Sequence, residues 1–264
     1  MTDFLTYNQQ GHVVTLTMNE PATRNALSGN TAVQEFADAC TRIERDESVR
    51  VVIVTGSGSA FSAGGNLNAM RQDGRGQKEG ASVRRGLRTG VQQLSLALYA
   101  LEVPLIAAVN GPAIGGGCDV ACLCDIRIAS DRARFAANFV KIGIIPALGG
   151  AWLLPRIVGP SRAAQMCFTG EVLGAAQALA CGLVSLVVPH DELLPEAMVM
   201  AQAIAANSGD ALRMTKNLLR SSGASNFPNH LDTAAGMQAL ALHTRGHEAA
   251  LQGLLQPVSR STHK

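Results

Sequence analysis

Residues 103–130, VPLIAAVNGPAIGGGCDVACLCDIRIAS, are the stretch that decides the fold. The apolar run at residues 105–109 predicts a buried strand, and Asn110-Gly111-Pro112 predicts a turn. Three consecutive glycines, residues 115–117, lead into a helical pattern, and residues 126–129 predict another strand. A strand that runs through glycines into a helix leaves backbone N–H groups at the positive end of the helix dipole, where an anion can bind. Asp119 lies on the first turn of this helix, close to any group held there.

A second glycine-containing loop, Ala63-Gly64-Gly65-Asn66-Leu67, follows the strand predicted at residues 50–55. If the two loops converge, the amides of Gly65 and Gly116 can donate to one oxygen atom. Proton removal beside an acyl thioester places negative charge on the thioester oxygen, and each preorganised donor is worth about 3–4 kcal/mol of barrier. The pattern therefore predicts an oxyanion hole with Asp119 as its acid/base. The plainer alternatives are two structural turns and a carboxylate that only offsets the helix dipole, worth ~0.3–1 kcal/mol.

Composition excludes several classes of protein. The 264 residues are 47% hydrophobic and carry 22 basic and 20 acidic side chains, which gives no support for nucleic-acid binding. Without a signal-peptide pattern or a bilayer-length apolar run, we expect a soluble, cytoplasmic protein that does not contact membrane. The six cysteines predict reduced, buried thiols, and neither the Cys118, Cys122, Cys124 spacing nor the His243, His247 pair predicts a metal site. Dinucleotide, P-loop and serine-elbow motifs are missing from the sequence.

The rest of the chain alternates strand and helix patterns before becoming almost wholly helical. Strands are predicted at residues 12–18, 50–55, 105–109, 126–129, 133–135 and 184–188. Helices are predicted at residues 28–44 with Ser28 as N-cap, 82–101, 150–157, 161–168, 175–181, 191–207, 210–221 and 229–254, besides the one after the glycine run. Residues 71–81 are polar and predict a mobile surface excursion. Because helices separate the strands, we expect partly parallel pairing.

Five segments together resemble one family. They are RNAL at 24–27, FSAGGNL at 61–67, the sequence at 104–130, GIIPALGGAWLLPRIVG at 143–159 and GLV at 182–184. In this order they resemble the enoyl-CoA hydratase/isomerase family, or crotonase superfamily. The resemblance implies an α/β fold, a spiral of ββα units over residues 1–207. It also implies a C-terminal helical region, residues 208–264, that assembles trimers or dimers of trimers.

The resemblance also implies a ligand and its site. The substrate would be an acyl-CoA thioester, so that coenzyme A enters with the substrate and no cofactor is permanently bound. Gly65 and Gly116 occupy the positions that donate to the thioester oxygen in that family, in agreement with the reading from the residues. The adenine and pantetheine would lie against Arg24, Ala26, Leu27, Ala63 and Leu67. The other expected substrate-binding residues are Gly64, Asn66, Gly115 and Phe139, and residues 68–82 and 137–148 would form the walls around the acyl group.

The sequence departs from the family pattern at the acids. Hydratases of the family use two glutamates, and here the first position is Asp119, one methylene shorter by ~1.5 Å, while the second falls on Phe139. The carboxylate that some isomerases carry after the Ile-Pro pair is replaced by Ala147, and Lys141 is the nearest ionisable group downstream of Phe139. A missing general acid/base costs about 10²–10⁴-fold in rate. The leading hypothesis is an enzyme of the hydratase/isomerase type. Isomerisation or decarboxylation that uses Asp119 alone, and a non-catalytic acyl-CoA-binding protein, are the alternatives.

Overall fold

The computed structural model describes residues 3–72 and 79–255. The strands are β1 (Leu5–Gln10), β2 (Val13–Met18), β3 (Val51–Gly56), β4 (Leu105–Val109), β5 (Pro112–Ile114), β6 (Ile126–Ser130), β7 (Arg134–Ala136), β8 (Leu173–Gly174) and β9 (Leu186–Val188). The helices are α1 (Ala32–Arg45), α2 (Leu67–Gln72), α3 (Gly80–Thr89), α4 (Val91–Ala100), α5 (Gly116–Leu123), α6 (Gly150–Val158), α7 (Pro160–Thr169), α8 (Ala175–Ala180), α9 (Leu193–Ala205), α10 (Gly209–Ser221), α11 (Phe227–Ala241) and α12 (Arg245–Leu255).

The larger sheet has six strands in the order β1-β2-β3-β4-β6-β9. β1 pairs antiparallel with β2, and every later pair in this sheet is parallel. The expected parallel pairing is therefore confirmed for the strands that helices separate. A parallel strand is covered on both faces, which is why β4 is apolar and buried at all five positions.

Alternate residues of the strands face two different hydrophobic cores. Val52 and Val54 of β3 face the main core, which α1, α4 and α5 cover, whereas Val51 and Ile53 face a second core under α9. The same alternation holds in β4 because successive side chains of a strand point to opposite faces. The sheet is thus fixed between helical layers, and its carboxyl edge becomes a rigid support for loops.

A small second sheet, in the order β5-β7-β8, continues from the ends of β4 and β6. β5 and β7 pair in parallel, with Ala113 opposite Phe135. On the other side of β5, Ser62 forms an isolated bridge to Ala113. The glycine run that follows β5 is therefore held between the loop at residues 62–64 and the segment at residues 134–136. Pro112, predicted as part of a turn, begins this strand instead.

The C-terminal helices attach to the core through charged side chains of α10. Lys216 donates to the carboxylate of Asp125 at 2.8 Å and to the Val103 carbonyl at 2.6 Å, and Arg220 pairs with Asp125 at 3.1 Å. By contrast, α11 has no buried residue. Among the helices of residues 3–72 and 79–255, none combines the length and apolar character needed to cross a bilayer.

Several predicted boundaries were wrong. Helix α1 begins at Ala32 with Thr31 as N-cap, and Ser28 instead accepts a hydrogen bond from the Asn66 amide. The helix predicted at 82–101 is two helices divided at Gly90, and the one at 229–254 is divided at residues 242–244. β1 was not predicted because its polar, half-exposed sequence LTYNQQ lacks an apolar pattern. Residues 67–72 form α2, so the excursion predicted at 71–81 begins inside a helix, and its part at residues 73–78 lies outside the described residues.

Candidate active site

The first loop of the site leads from β5 into α5. Gly115 has a φ of +53° and donates its amide to the Ala136 carbonyl at 2.8 Å. The next residue, Gly116, begins α5, and among the described residues no acceptor takes its amide hydrogen. An amide at the first position of a helix has no partner within the helix, so this donor is available to a ligand.

The second loop is pinned by Ser62 and lies directly against the first. The Ser62 hydroxyl donates to the Asn25 carbonyl at 2.7 Å and accepts from the Gly64 amide at 3.1 Å. Gly64 has a φ of +78°, and a Cβ there would overlap the Ile114 carbonyl oxygen and lie 2.8 Å from the Gly116 nitrogen. Only glycine allows this approach. The structure therefore brings the two glycine loops together, as the oxyanion-hole hypothesis requires.

The two loops open into a cavity of about 490 Å³. Nine of the residues predicted for the site line it: Arg24, Ala26, Ala63, Gly65, Asn66, Leu67, Gly115, Gly116 and Phe139. Leu27 and Gly64 support the wall from behind, where the Leu27 amide donates to the Gly64 carbonyl at 2.7 Å. Of the described residues that line the cavity, Arg24 alone has an ionisable side chain.

The expected acyl-group walls were only partly right. Asn68 and Met70 line the cavity from α2, and Asn138, Ile142 and Ile144 line it from the opposite side. The latter segment is largely a 3₁₀ helix, Asn138–Ile142. The wall near residue 70 is therefore part of helix α2.

The loop at residues 24–27 depends on a residue that the sequence reasoning did not single out. Asn25 is buried, and its side-chain amide donates to the carbonyls of Ser57, Ala60 and Phe61 at 3.0, 2.9 and 3.2 Å. Both Arg24 and Asn25 adopt left-handed backbone conformations, with φ of +56° and +57°. Asparagine is among the few residues that adopt this conformation readily. The side-chain amide of Asn25 thus fixes the loop at residues 24–27 to the loop that leads to Gly65.

Asp119 is fully buried on the first turn of α5, and it does not line the cavity. Burial raises the pKa of its carboxyl to about 7, and the nearby backbone of Gly150 and Leu148 lowers it only in part. Neither carboxylate oxygen has a hydrogen-bond partner among the described residues, so these backbone groups lie near the carboxyl without forming hydrogen bonds to it. A carboxyl with a pKa near neutrality can both accept and return a proton at physiological pH.

Gly150 gives Asp119 its space. A Cβ on Gly150 would overlap Oδ1 of Asp119 and lie 3.0 Å from its Cγ. Gly150 is the first residue of α6, so the carboxyl sits at the amino end of that helix. The only sign of this contact in the sequence is the Gly149-Gly150 pair, which indicated a helix start and not a neighbour of Asp119.

The positions expected to carry other acids carry none. Phe139 lies half-buried against the first loop, with its ring carbon Cε1 3.5 Å from the position of a Cβ on Gly115. Ala147 uses its carbonyl to accept from Gln92 of α4 at 2.9 Å, and Lys141 is exposed. The aromatic ring thus forms cavity wall where the sequence pattern predicted a second acid.

All six cysteines are free, and four of them, Cys40, Cys118, Cys122 and Cys124, are buried. Burial raises the pKa of the Cys124 thiol to about 12, so this thiol is protonated at neutral pH. Among residues 3–72 and 79–255, no three His, Cys, Asp or Glu side chains cluster as metal ligands would.

Together, the strand-supported glycine loops, their unpartnered amide and the buried carboxyl are features of enzymes that stabilise an oxyanion with backbone amides beside a proton acceptor. The profile of the enoyl-CoA hydratase/isomerase family matches residues 8–256. The chain belongs to this family, has its crotonase-type fold and is an acyl-CoA-processing enzyme.

Named relatives and solved structures agree. The chain is 39% identical over 218 residues to 2,3-dehydroadipyl-CoA hydratase of Escherichia coli K12, which covers 83% of this chain and 82% of the relative. It is 40% identical to crotonyl-CoA hydratase of Syntrophomonas wolfei over 76% of this chain and 75% of that one. The structure matches an enoyl-CoA hydratase from Bacillus anthracis with a TM-score of 0.88 at 30% identity, covering 96% of each chain. It also matches a monofunctional enoyl-CoA isomerase from M. smegmatis with a TM-score of 0.73 at 34% identity, covering 87% of this chain and 99% of that one.

Proposed function

We propose that this enzyme isomerises the double bond of an enoyl-CoA thioester, with Asp119 as its single acid/base. The observation that supports this proposal best is the pairing of a fully buried carboxyl, whose pKa is raised to about 7, with an aromatic ring at the position of the second acid. Hydration needs a group to activate water as well as one to protonate carbon. A one-base shuttle needs Asp119 alone.

In this mechanism the thioester oxygen accepts hydrogen bonds from the amides of Gly65 and Gly116. The Asp119 carboxylate removes a proton from C2 of a 3-enoyl thioester, and the electron pair of that C–H bond moves into conjugation with the thioester carbonyl. The neutral Asp119 carboxyl then returns the same proton to C4 as the double bond moves to C2–C3. The step consumes no water and leaves the proton count unchanged. Arg24 lines the cavity and is exposed, and in this proposal its guanidinium binds the phosphates of coenzyme A.

The test is a comparison of two reactions in three proteins. Wild type should isomerise 3-hexenoyl-CoA faster than it hydrates crotonyl-CoA, and Asp119→Asn should lose isomerisation. Phe139→Glu should gain crotonyl-CoA hydration by about 10²-fold, since it restores an acid beside the cavity. Fast wild-type hydration that survives in Asp119→Asn would refute the mechanism. Binding of CoA thioesters without turnover of either substrate would favour the non-catalytic alternative.

We further propose that the protein assembles as a trimer or a dimer of trimers in the cytoplasm, with residues 208–264 as the assembly region beside the spiral core of residues 1–207. Helix α11 supports this proposal, since it buries no residue and exposes Phe227 and Leu240. Large apolar side chains that are exposed together on one helix are typical of interaction surfaces. Light scattering of wild type and of Leu240→Glu tests the assembly, and a monomeric wild type would refute it.

A further inference from the structure

The loop at residues 24–27 holds an unusual backbone conformation. Arg24 and Asn25 have φ of +56° and +57°, and they are the two non-glycine residues with a positive φ in the described part of the chain. Such residues are uncommon, and they concentrate at active sites and ligand clamps, where the surrounding structure fixes them. Here the buried side chain of Asn25 fixes the loop through its three carbonyl partners. The loop is therefore a rigid part of the cavity wall.

Hydrogen bonds tie this loop to the segment at residues 62–64, which leads to Gly65. Three of them, each 2.7 or 2.8 Å long, cross between the two segments. They are the bonds from the Ser62 hydroxyl to the Asn25 carbonyl, from the Ala63 amide to the Arg24 carbonyl and from the Leu27 amide to the Gly64 carbonyl. A shift of the loop at residues 24–27 therefore moves the peptide units that precede Gly65.

The Leu27 bond orients the peptide unit that carries the Gly65 amide. A peptide unit is planar and trans, so that its C=O and N–H groups point in opposite directions. Because the Leu27 amide holds the Gly64 carbonyl, the Gly65 N–H of the same unit points away from that bond, and no described residue accepts it. The Gly116 donor is held in the same way, since the carbonyl of its own peptide unit accepts from the Asp119 amide at 3.1 Å. Each donor is thus fixed by a hydrogen bond on the opposite side of its peptide unit.

Ser62 connects the loop at residues 24–27 to both donors. Its fully buried hydroxyl donates to the Asn25 carbonyl and accepts from the Gly64 amide at 3.1 Å. Its amide donates to the Pro112 carbonyl at 3.1 Å and its carbonyl accepts from the Ile114 amide at 3.0 Å, which pairs it with β5 at the entry to the glycine run. In the described part of the chain, Ser62 is the residue whose side chain joins the loop at residues 24–27 to Gly64.

We propose that Ser62 is a positioning residue, which couples the binding of coenzyme A by the loop at residues 24–27 to the placement of the two amides that hold the thioester oxygen. This inference rests on the proposed thioester site. Binding energy from a non-reacting part of the substrate raises kcat only where it improves interactions at the reacting atoms. A misplacement of about 1 Å there costs on the order of 10²-fold in rate. The contacts of Ser62 form the path by which the nucleotide end of the substrate acts on the amides.

Two thioesters of the same acyl group test this coupling. One is 3-hexenoyl-CoA, and the other is 3-hexenoyl-N-acetylcysteamine, which lacks the nucleotide and most of the pantetheine arm. A truncated substrate loses kcat as well as affinity, so the kcat of wild type should be about tenfold or more higher on the CoA thioester. Ser62→Ala should lower kcat on the CoA thioester by about tenfold, with KM within about twofold, and should change kcat on the short thioester by less than about threefold. The ratio of the two kcat values should therefore fall.

Ser130→Ala is the matched control. Ser130 is also fully buried, and its hydroxyl donates to the Asn110 carbonyl at 2.9 Å, so this variant should keep the wild-type ratio. Ser62→Cys keeps the size of the side chain and a weak S–H donor, and it should give a ratio between those of wild type and Ser62→Ala. Thermal melting checks that each variant folds, and Ser62→Cys carries the test if Ser62→Ala does not fold.

Two results would overturn the coupling. One is a wild-type kcat ratio near one, and the other is a ratio that is the same in Ser62→Ala and Ser130→Ala. Both leave the proposed function intact, because the CoA thioester is still isomerised. If wild type turns over crotonyl-CoA and not 3-hexenoyl-CoA, the isomerase proposal is refuted, and the same ratio measured with crotonyl thioesters decides the coupling. Turnover of neither CoA thioester would refute the proposed function and the coupling with it.

Discussion

Asp119 and Lys216 are two buried ionisable groups near opposite ends of helix α5, and they differ in their hydrogen-bond partners. The Asp119 carboxyl has no hydrogen-bond partner among the described residues, and burial raises its pKa to about 7. Lys216 reaches past the end of the same helix to Asp125 and the Val103 carbonyl. Burial lowers its pKa to about 8, and the Asp125 carboxylate opposes that change.

This difference distinguishes a group that can transfer protons from a group that anchors a helix. Burial without a partner disfavours the charged carboxylate, and here it raises the pKa of Asp119 far enough that both protonation states are populated near neutral pH, which an acid/base needs and a structural contact does not. A buried charge that has a partner is held in one state and fixes geometry, although its net contribution to stability is small. Just beyond the C-terminus of α5, Asp125 binds Lys216 and so attaches α10 to the core. At the N-terminus of α5, the Asp119 carboxyl remains able to exchange a proton.

The largest expected effect is on Asp119 itself. Asp119→Asn keeps the size of the side chain but removes the proton acceptor, so isomerase turnover should fall by about 10²–10⁴-fold. The measurement is kcat on 3-hexenoyl-CoA, with the exposed Asp131→Asn as control. Turnover within threefold of wild type would show that Asp119 is not the base.

The anchoring pair should respond in stability and not in chemistry. Asp125→Asn leaves the Lys216 ammonium buried without its counter-charge and should lower the free energy of unfolding by about 2–4 kcal/mol. Lys216→Met removes the buried charge as well and should cost less. Urea unfolding measures both, and an equal loss in the two variants would contradict the unpaired-charge explanation.

Gly150→Ala tests whether the space around Asp119 matters. The new methyl group would overlap Oδ1 and displace the carboxyl, and a displacement of about 1 Å costs on the order of 10²-fold in rate. We expect kcat to fall about 10- to 100-fold. Gly236→Ala in α11, where a Cβ meets open space, should leave kcat unchanged. A Gly150→Ala enzyme with wild-type kcat would show that the contact is not critical.

The smallest effect is on the pH dependence of stability. The folded-state pKa of Asp119 lies above its unfolded value, so the native state holds the proton more tightly and loses stability as pH rises from about 4 to 7. Asp119→Asn has no such loss. Its stability advantage over wild type should therefore grow between pH 5 and pH 8, by on the order of 2 kcal/mol. Chemical denaturation at the two pH values measures it, and an advantage that shrinks would reverse the sign of the inferred shift.

Predictions from the sequence succeeded where the signal was local. The run at residues 105–109 is apolar at every position and matched β4 to the residue, and the glycine-to-helix transition matched the start of α5. They failed where a polar strand depends on its neighbours. β1 exists because it pairs with β2 across a hairpin, and β5, only three residues long, exists because β7 and Ser62 lie on its two sides.

The sequence by itself determined the family, the glycine loops and the absence of a carboxylate at Phe139 and Ala147, since each depends on residue identity in a short segment. Only the tertiary structure decided how the loops meet at Gly64 and Gly116, and that Asp119 is buried beside Gly150. These features join residues from separate elements, and sequence spacing does not encode such contacts. The pKa of Asp119 follows the same rule, because it depends on burial in the folded protein, where Gly150, more than thirty residues away along the chain, lies against the carboxyl.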